Sequence, residues 1–205
     1  MVRDFSKITA PFLSDQDLRV RADEFRAKYW GEKLPVDVEL IAERSLNLYL
    51  IPINDLRYLA QTEAFLSGDL KEMVYDPQIS ETRIRFSIAH EIGHYVLHRD
   101  IIKTLRPSSY EEWRLIQGEI PEALWARVEY QAREFAGRLL VPQQLLIQEL
   151  RKVRPLIEKA KHQIPDLEDQ AIKEYITPTL GRRFHVSAEV IDRRMIAEGI
   201  SPLVQ

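Results

Sequence analysis

Cysteine is absent from all 205 residues, which excludes disulfides. It also removes the usual ligands of a structural zinc, which wants four protein ligands and commonly takes them from cysteines. The lack of cysteine fits a cytoplasmic chain. No run of apolar residues approaches the length of a membrane span, so no membrane partner is expected. The stretch Met1–Lys7 has no apolar core of the kind a signal peptide needs. Excess charge is missing too: a net charge of −3 gives no global pull towards nucleic acid or acidic membranes. No internal repeat or low-complexity segment is visible. What is present is ordinary for a folded soluble protein, 45% hydrophobic and 30% charged, and 205 residues suffice for one well-cored domain or one with a small appendage.

The chemistry concentrates in one stretch, Arg85-Phe86-Ser87-Ile88-Ala89-His90-Glu91-Ile92-Gly93-His94-Tyr95-Val96-Leu97-His98, which holds three of the five histidines. Read as a helix, it places His90 and His94 one turn apart on the same face. Two imidazoles in that relation can each offer a nitrogen to one Zn²⁺ at about 2.0–2.1 Å. Glu91 lies at the edge of that face, beside the metal without being needed as a ligand, where a general base must be. Ile88, Ala89, Ile92, Tyr95 and Val96 cluster roughly opposite the histidines as a buried stripe. Gly93 sits beside the histidine edge, where a missing side chain lets another segment come close.

A third ligand candidate lies downstream in Val128-Glu129-Tyr130-Gln131-Ala132-Arg133-Glu134-Phe135-Ala136-Gly137-Arg138-Leu139-Leu140. Here Glu129, Ala132, Ala136 and Leu140 share a helical face, and Glu129 is its one acid. A buried carboxylate is costly unless a cation or hydrogen bonds compensate it. The alanines would let this helix pack closely on the first; the competing reading is a rim glutamate paired with Arg127 or Arg133. Two histidines and one glutamate with a fourth position open is the pattern of a catalytic zinc site. His98 continues the four-residue spacing but lies about 12 Å along the axis from His90, too far to share its ion. It is left as a substrate contact, a helix cap or a residue without chemistry.

These two motifs, Arg-x-Arg-Phe-Ser-x-Ala-His-Glu-x-Gly-His-x-x-Leu-His and then Glu-x-Gln-Ala-x-x-Phe-Ala-x-x-Leu-Leu-x-Pro, resemble those of the ImmA/IrrE zinc metallopeptidases, anti-repressor proteases of the gluzincin type. The likeness runs well over residues 35 to 142. It implies His90, His94 and Glu129 as zinc ligands, Glu91 as the catalytic carboxylate, and a helix-turn-helix transcriptional repressor as the protein substrate. One position departs: the family usually has Asn or Asp where this chain has Arg133. Those residues can accept a hydrogen bond from a ligand imidazole, and arginine cannot.

Elsewhere the pattern predicts an α+β fold, mostly helical, with a small antiparallel or mixed sheet ahead of the metal helix and a helical C-terminal extension. A metallopeptidase domain over 1–142 and a helical region over 143–205 are expected. Ser14 with Asp17 reads as a capping box for a helix to residue 30, ended by Gly31. Pro35 is expected to open a second helix, with strands at Leu48–Ile53 and Lys71–Tyr75 and Ser80 as cap of the metal helix. Residues 99 to 121 read either as a flap over the cleft or as a helix packed on the core, capped by Ser109. After Pro142 a helical stretch is punctuated by Pro155 and Pro165.

At the C-terminus, a helix ending near Phe184 and another capped by Ser187, with Val190, Ile191 and Met195 inward, match helix-turn-helix spacing. Arg182, Arg183, Arg193 and Arg194 could then face DNA, although Glu189, Asp192 and Glu198 would oppose phosphates. The same spacing suits two helices packing at a corner, or a surface that recognises a protein substrate. The expected function is zinc-dependent endopeptidase, with His98, Tyr110 and His185 as candidate transition-state or substrate contacts. The alternative is a non-catalytic regulator that binds DNA or a repressor through the C-terminal helices.

Overall fold

Residues 8–164 and 168–201 are described by a computed structural model of the chain; the expectations for Met1–Lys7 and for Pro165 lie outside them. The first helix, α1 (Asp15–Tyr29), begins at a capping box in which Ser14 Oγ accepts from the Asp17 N–H and the Asp17 carboxylate accepts from the Ser14 N–H. Its stripe of Leu18, Ala22 and Phe25 is buried, and Gly31 at φ +83° turns the chain away. The second helix starts later than expected. Asp37, not Pro35, caps it by accepting from the Leu40 N–H, and α2 (Val38–Leu40) runs on as a π turn over Ile41–Ser45. Val38, Ile41, Ala42 and Leu46 form its inward side as the spacing predicts.

Three strands follow, where the sequence suggests two. β1 (Tyr49–Pro52) pairs in parallel with β3 (Glu72–Tyr75), and β2 (Ala64–Leu66) pairs antiparallel with β3, in the order β1-β3-β2. A short helix, α3 (Leu56–Leu59), links β1 to β2. Pro52, which cannot donate, closes an edge strand. All three residues of β2 are buried, so it shows no alternation to read from sequence.

The sheet leads into α4 (Glu81–Leu97), which packs on β2 and β3. Ser80 stands at its N-cap with extended backbone, although its hydroxyl makes no capping hydrogen bond. Two shorter helices, α5 (Arg99–Leu105) and α6 (Tyr110–Gln117), fill the connection to α7 (Glu122–Leu140). Ser109 caps α6 through the Glu112 N–H, as expected. α7 is the central element, with α4 packed along it and α1 also against it. Pro155 does not interrupt α8 (Gln143–Gln163), because the buried stripe of Leu150, Val153 and Ile157 carries on across it. α9 (Asp169–Phe184) turns at His185 into α10 (Ala188–Ala197), which Ser187 caps by accepting from the Val190 N–H. Ile191 and Met195 are fully buried, and α10 rests on both α9 and α7. The fold is α+β, mostly helical, with a mixed sheet before α4 and a helical C-terminal part.

Candidate metal centre

The inward side of α4 forms as its spacing demands: Ile88, Ala89 and Ile92 are sealed in the core. Its histidine edge is not a solvent edge, because α7 covers it. Gly93 makes that cover possible. A Cβ there would stand 2.9 Å from the Ala132 carbonyl oxygen and 3.1 Å from the Ala132 Cα, closer than side chains tolerate. Ala132 and Ala136, both fully buried, supply the matching small residues on α7. The two backbones therefore nearly touch, and Glu129, one turn before Ala132, comes to the imidazoles.

There the donor atoms converge. His90 Nε2 lies 3.0 Å from His94 Nε2. Each is 3.2 Å from a Glu129 oxygen, His90 from Oε2 and His94 from Oε1. The edge of a tetrahedron with metal–ligand bonds of about 2.0–2.1 Å is roughly 3.3–3.4 Å, so the spacing fits a zinc-sized cation. Glu91 is close by as well: its carboxylate and the two ring nitrogens lie within 4.8 Å of one another. The Glu129 set is the tighter one.

Electrostatics separates the two carboxylates. Burial pushes the Glu91 carboxyl up, against the pull of His94 and His90. Burial acts on Glu129 in the same sense, but the neighbouring His90 and His94 outweigh it and hold that carboxyl well below the usual range. On His94 burial works downward, and Glu129 and Glu91 reverse it and raise the imidazole. The two imidazoles thus favour the ionised form of Glu129.

This cluster forms part of the lining of an open cleft of about 790 Å³. One side is the end of the β2 segment, Thr62, Glu63 and Ala64; the other is α10, with Ser187, Val190 and Arg193. Trp113 and Trp125 also line the cleft. Trp125 stacks on His94 with ring centroids 6.4 Å apart, Trp113 meets Trp125 edge-on at 5.6 Å, and Phe65 stacks on Trp113 at 6.1 Å. Trp113 is buried, so the 99–121 connection packs on the core as one of its two readings requires.

Tyr110, His185 and His98 do not line the cleft. Tyr110 opens α6. His185 sits in the α9–α10 turn with Nε2 3.5 Å from Glu81 Oε1. His98 is 2% exposed behind His94, its Nδ1 3.2 Å from His94 Nδ1, and burial, with the charge of His94, pushes it down to about 4. Arg133 is exposed on the cleft wall one turn past Glu129, and it makes no ion pair among the described residues. Arg194, read above as a possible phosphate contact, is instead buried and ion-paired with Glu198. Sequence reasoning missed Gln131, which is 1% exposed and faces His98. The signal was there: Gln131 falls at helical spacing between the buried Val128 and Phe135, a polar residue on an apolar face.

A family profile for the IrrE N-terminal-like domain, Peptidase_M78, matches residues 51–195, from β1 into α10. The chain belongs to that family. M78 peptidases are metallopeptidases, and the His-Glu-His cluster of this M78 domain can hold a metal. No curated protein matches the chain. Among solved structures it is similar to a Mycobacterium tuberculosis transcriptional regulator, with a TM-score of 0.55 and 18% identity. That likeness, which shows the fold, covers 88% of this chain and 46% of the regulator, so the chain spans about half the regulator's length. No helix among the described residues is long and apolar enough to cross a membrane.

Proposed function

We propose that this chain is a zinc-dependent endopeptidase in which His90, His94 and Glu129 hold the metal and Glu91 is the catalytic base. The observation that carries the reading is the convergence of two Nε2 atoms and one carboxylate within 3.0–3.2 Å inside an open cleft. Bound by these three, zinc would polarise a peptide carbonyl and acidify water. Glu91 takes the proton of the attacking water on its carboxylate and passes it to the leaving amine. Its burial suits it to that exchange, because a raised carboxyl sits nearer the working pH. The wall at Thr62–Ala64 leads into β2, whose far side pairs with no strand among the described residues. An extended substrate can add there by main-chain hydrogen bonds. Trp113 and Trp125 then offer apolar surface to its side chains.

The substrate we assign is a helix-turn-helix repressor, cleaved to relieve repression; the family resemblance supports this. The test uses Glu91→Gln, which keeps the shape and removes the base. Zinc content and melting temperature are expected to stay unchanged while cleavage of a helix-turn-helix repressor that the wild type cuts, followed by mass spectrometry of the fragments, falls by about 10²–10⁴. Undiminished cleavage by the variant overturns the assignment of Glu91.

A further inference from the structure

Behind the metal cluster a line of hydrogen-bonding groups runs into the core, and its polarity can be read from one end. Gln131 Nε2 donates to the Pro11 carbonyl at 2.8 Å. A carbonyl only accepts, so the amide NH₂ must face Pro11 and Gln131 Oε1 must face the other way. That oxygen lies 2.9 Å from His98 Nε2, which therefore carries a proton and donates it. A neutral His98 is then left with a bare Nδ1. His94 Nδ1 stands 3.2 Å from it, so the proton between the two rings belongs to His94. With Nδ1 protonated, the Nε2 of a neutral His94 is the nitrogen with a free lone pair, and it is the one facing His90 and Glu129.

We propose that His98 and Gln131 are positioning residues that fix the proton of His94 on Nδ1 and so present its Nε2 lone pair to the metal. The proposal deepens the zinc reading above and rests on it for its consequence, though not for its geometry. Burial favours such a relay, because His94, His98 and Gln131 are 3%, 2% and 1% exposed and water does not compete for their polar atoms. The relay also ties the site to the segment before α1 through Pro11. A partner on the outer nitrogen of a ligand imidazole sets its orientation and basicity, and losing one typically lowers metal affinity about 10–100-fold.

Two substitutions at His98 separate acceptor from filler. His98→Leu restores much of the volume without an acceptor; His98→Asn is smaller but can place an amide oxygen near the Nδ1 position. Zinc dissociation constants from chelator competition are expected to rise about 10–100-fold in His98→Leu and to return close to wild type in His98→Asn. Equal affinity in wild type and His98→Leu, or weaker binding in His98→Asn than in His98→Leu, overturns the proposal. A second readout needs no metal: long-range nitrogen–proton NMR of the histidine rings in zinc-free protein. It is expected to show His98 protonated on Nε2 with a bare Nδ1, and a slowly exchanging proton on His94 Nδ1. A proton on His98 Nδ1 overturns the proposal whatever the zinc result. If wild type takes up no zinc, the metal reading falls and the ring-nitrogen result alone decides the relay.

Discussion

Glu91 and Glu129 have the same side chain and opposite assignments, and their surroundings explain the difference. The Glu129 oxygens lie 3.2 Å from the two ring nitrogens, and that carboxyl is held well below the usual range; Glu91, 7% exposed, is pressed by burial towards its protonated form. The residue that lets both roles coexist is Gly93, whose missing side chain sets the gap between α4 and α7. Gly93→Ala forces that gap open against the Ala132 backbone, an overpacking strain worth about 1–3 kcal/mol. The expected outcome is a lower melting temperature together with weaker zinc binding, read by calorimetry and chelator competition. At this scale the histidines, Gly93 and Glu129 were legible, because a spacing of four residues and an acid on an alanine face need only one helix to interpret. The partnership of His98 with Gln131 was not, because it depends on the direction of side chains from two helices that meet in space.

Among the elements, α7 does the joining, with α4 on its metal side and α1 and α10 also packed against it. Local signals marked several helices well. The Ser14–Asp17 box and the Ser109 and Ser187 caps all appear where short side chains can accept a hydrogen bond from the first turn. Removing one has a known scale: Ser187→Ala is expected to cost about 1 kcal/mol. For a chain of this size that lowers the melting temperature by about 2–4 °C, and an unchanged midpoint in a thermal scan counts against the cap. Local signals failed where packing overrides them. β2 is three residues long and buried on both faces, so Ala64-Phe65-Leu66 carries no period to find. Pro155 looks like a stop, yet the stripe from Leu150 to Ile157 keeps α8 continuous.

Across the whole molecule, a partly buried chain of charges links the C-terminal helix to the rest. Arg194 pairs with Glu198, Glu198 with Arg19 on α1, and Arg138 with Glu134 on α7; Arg194 also lies 3.9 Å from Glu134. Such a network is legible only after folding, because its members are far apart in sequence. It also decides between the C-terminal arginines. Arg194→Ala takes from the buried Glu198 one of its two cationic partners and is expected to destabilise by about 1–3 kcal/mol in denaturant unfolding. Arg193, exposed beside Glu189, changes stability by less than about 0.5 kcal/mol. With Arg194 buried and a net charge of −3, steep salt-dependent retention on duplex DNA is not expected; retention that vanished on Arg193→Ala would speak for the nucleic-acid reading instead.

The claim beneath all of this is that α4 and α7 close around one metal ion. Elemental analysis of purified wild type beside Glu129→Ala tests it most directly. The account predicts about one zinc per wild-type chain and far less in the variant, with the variant still folded by circular dichroism. Wild-type protein that carries no stoichiometric metal, or a Glu129→Ala variant that carries as much as wild type, contradicts it.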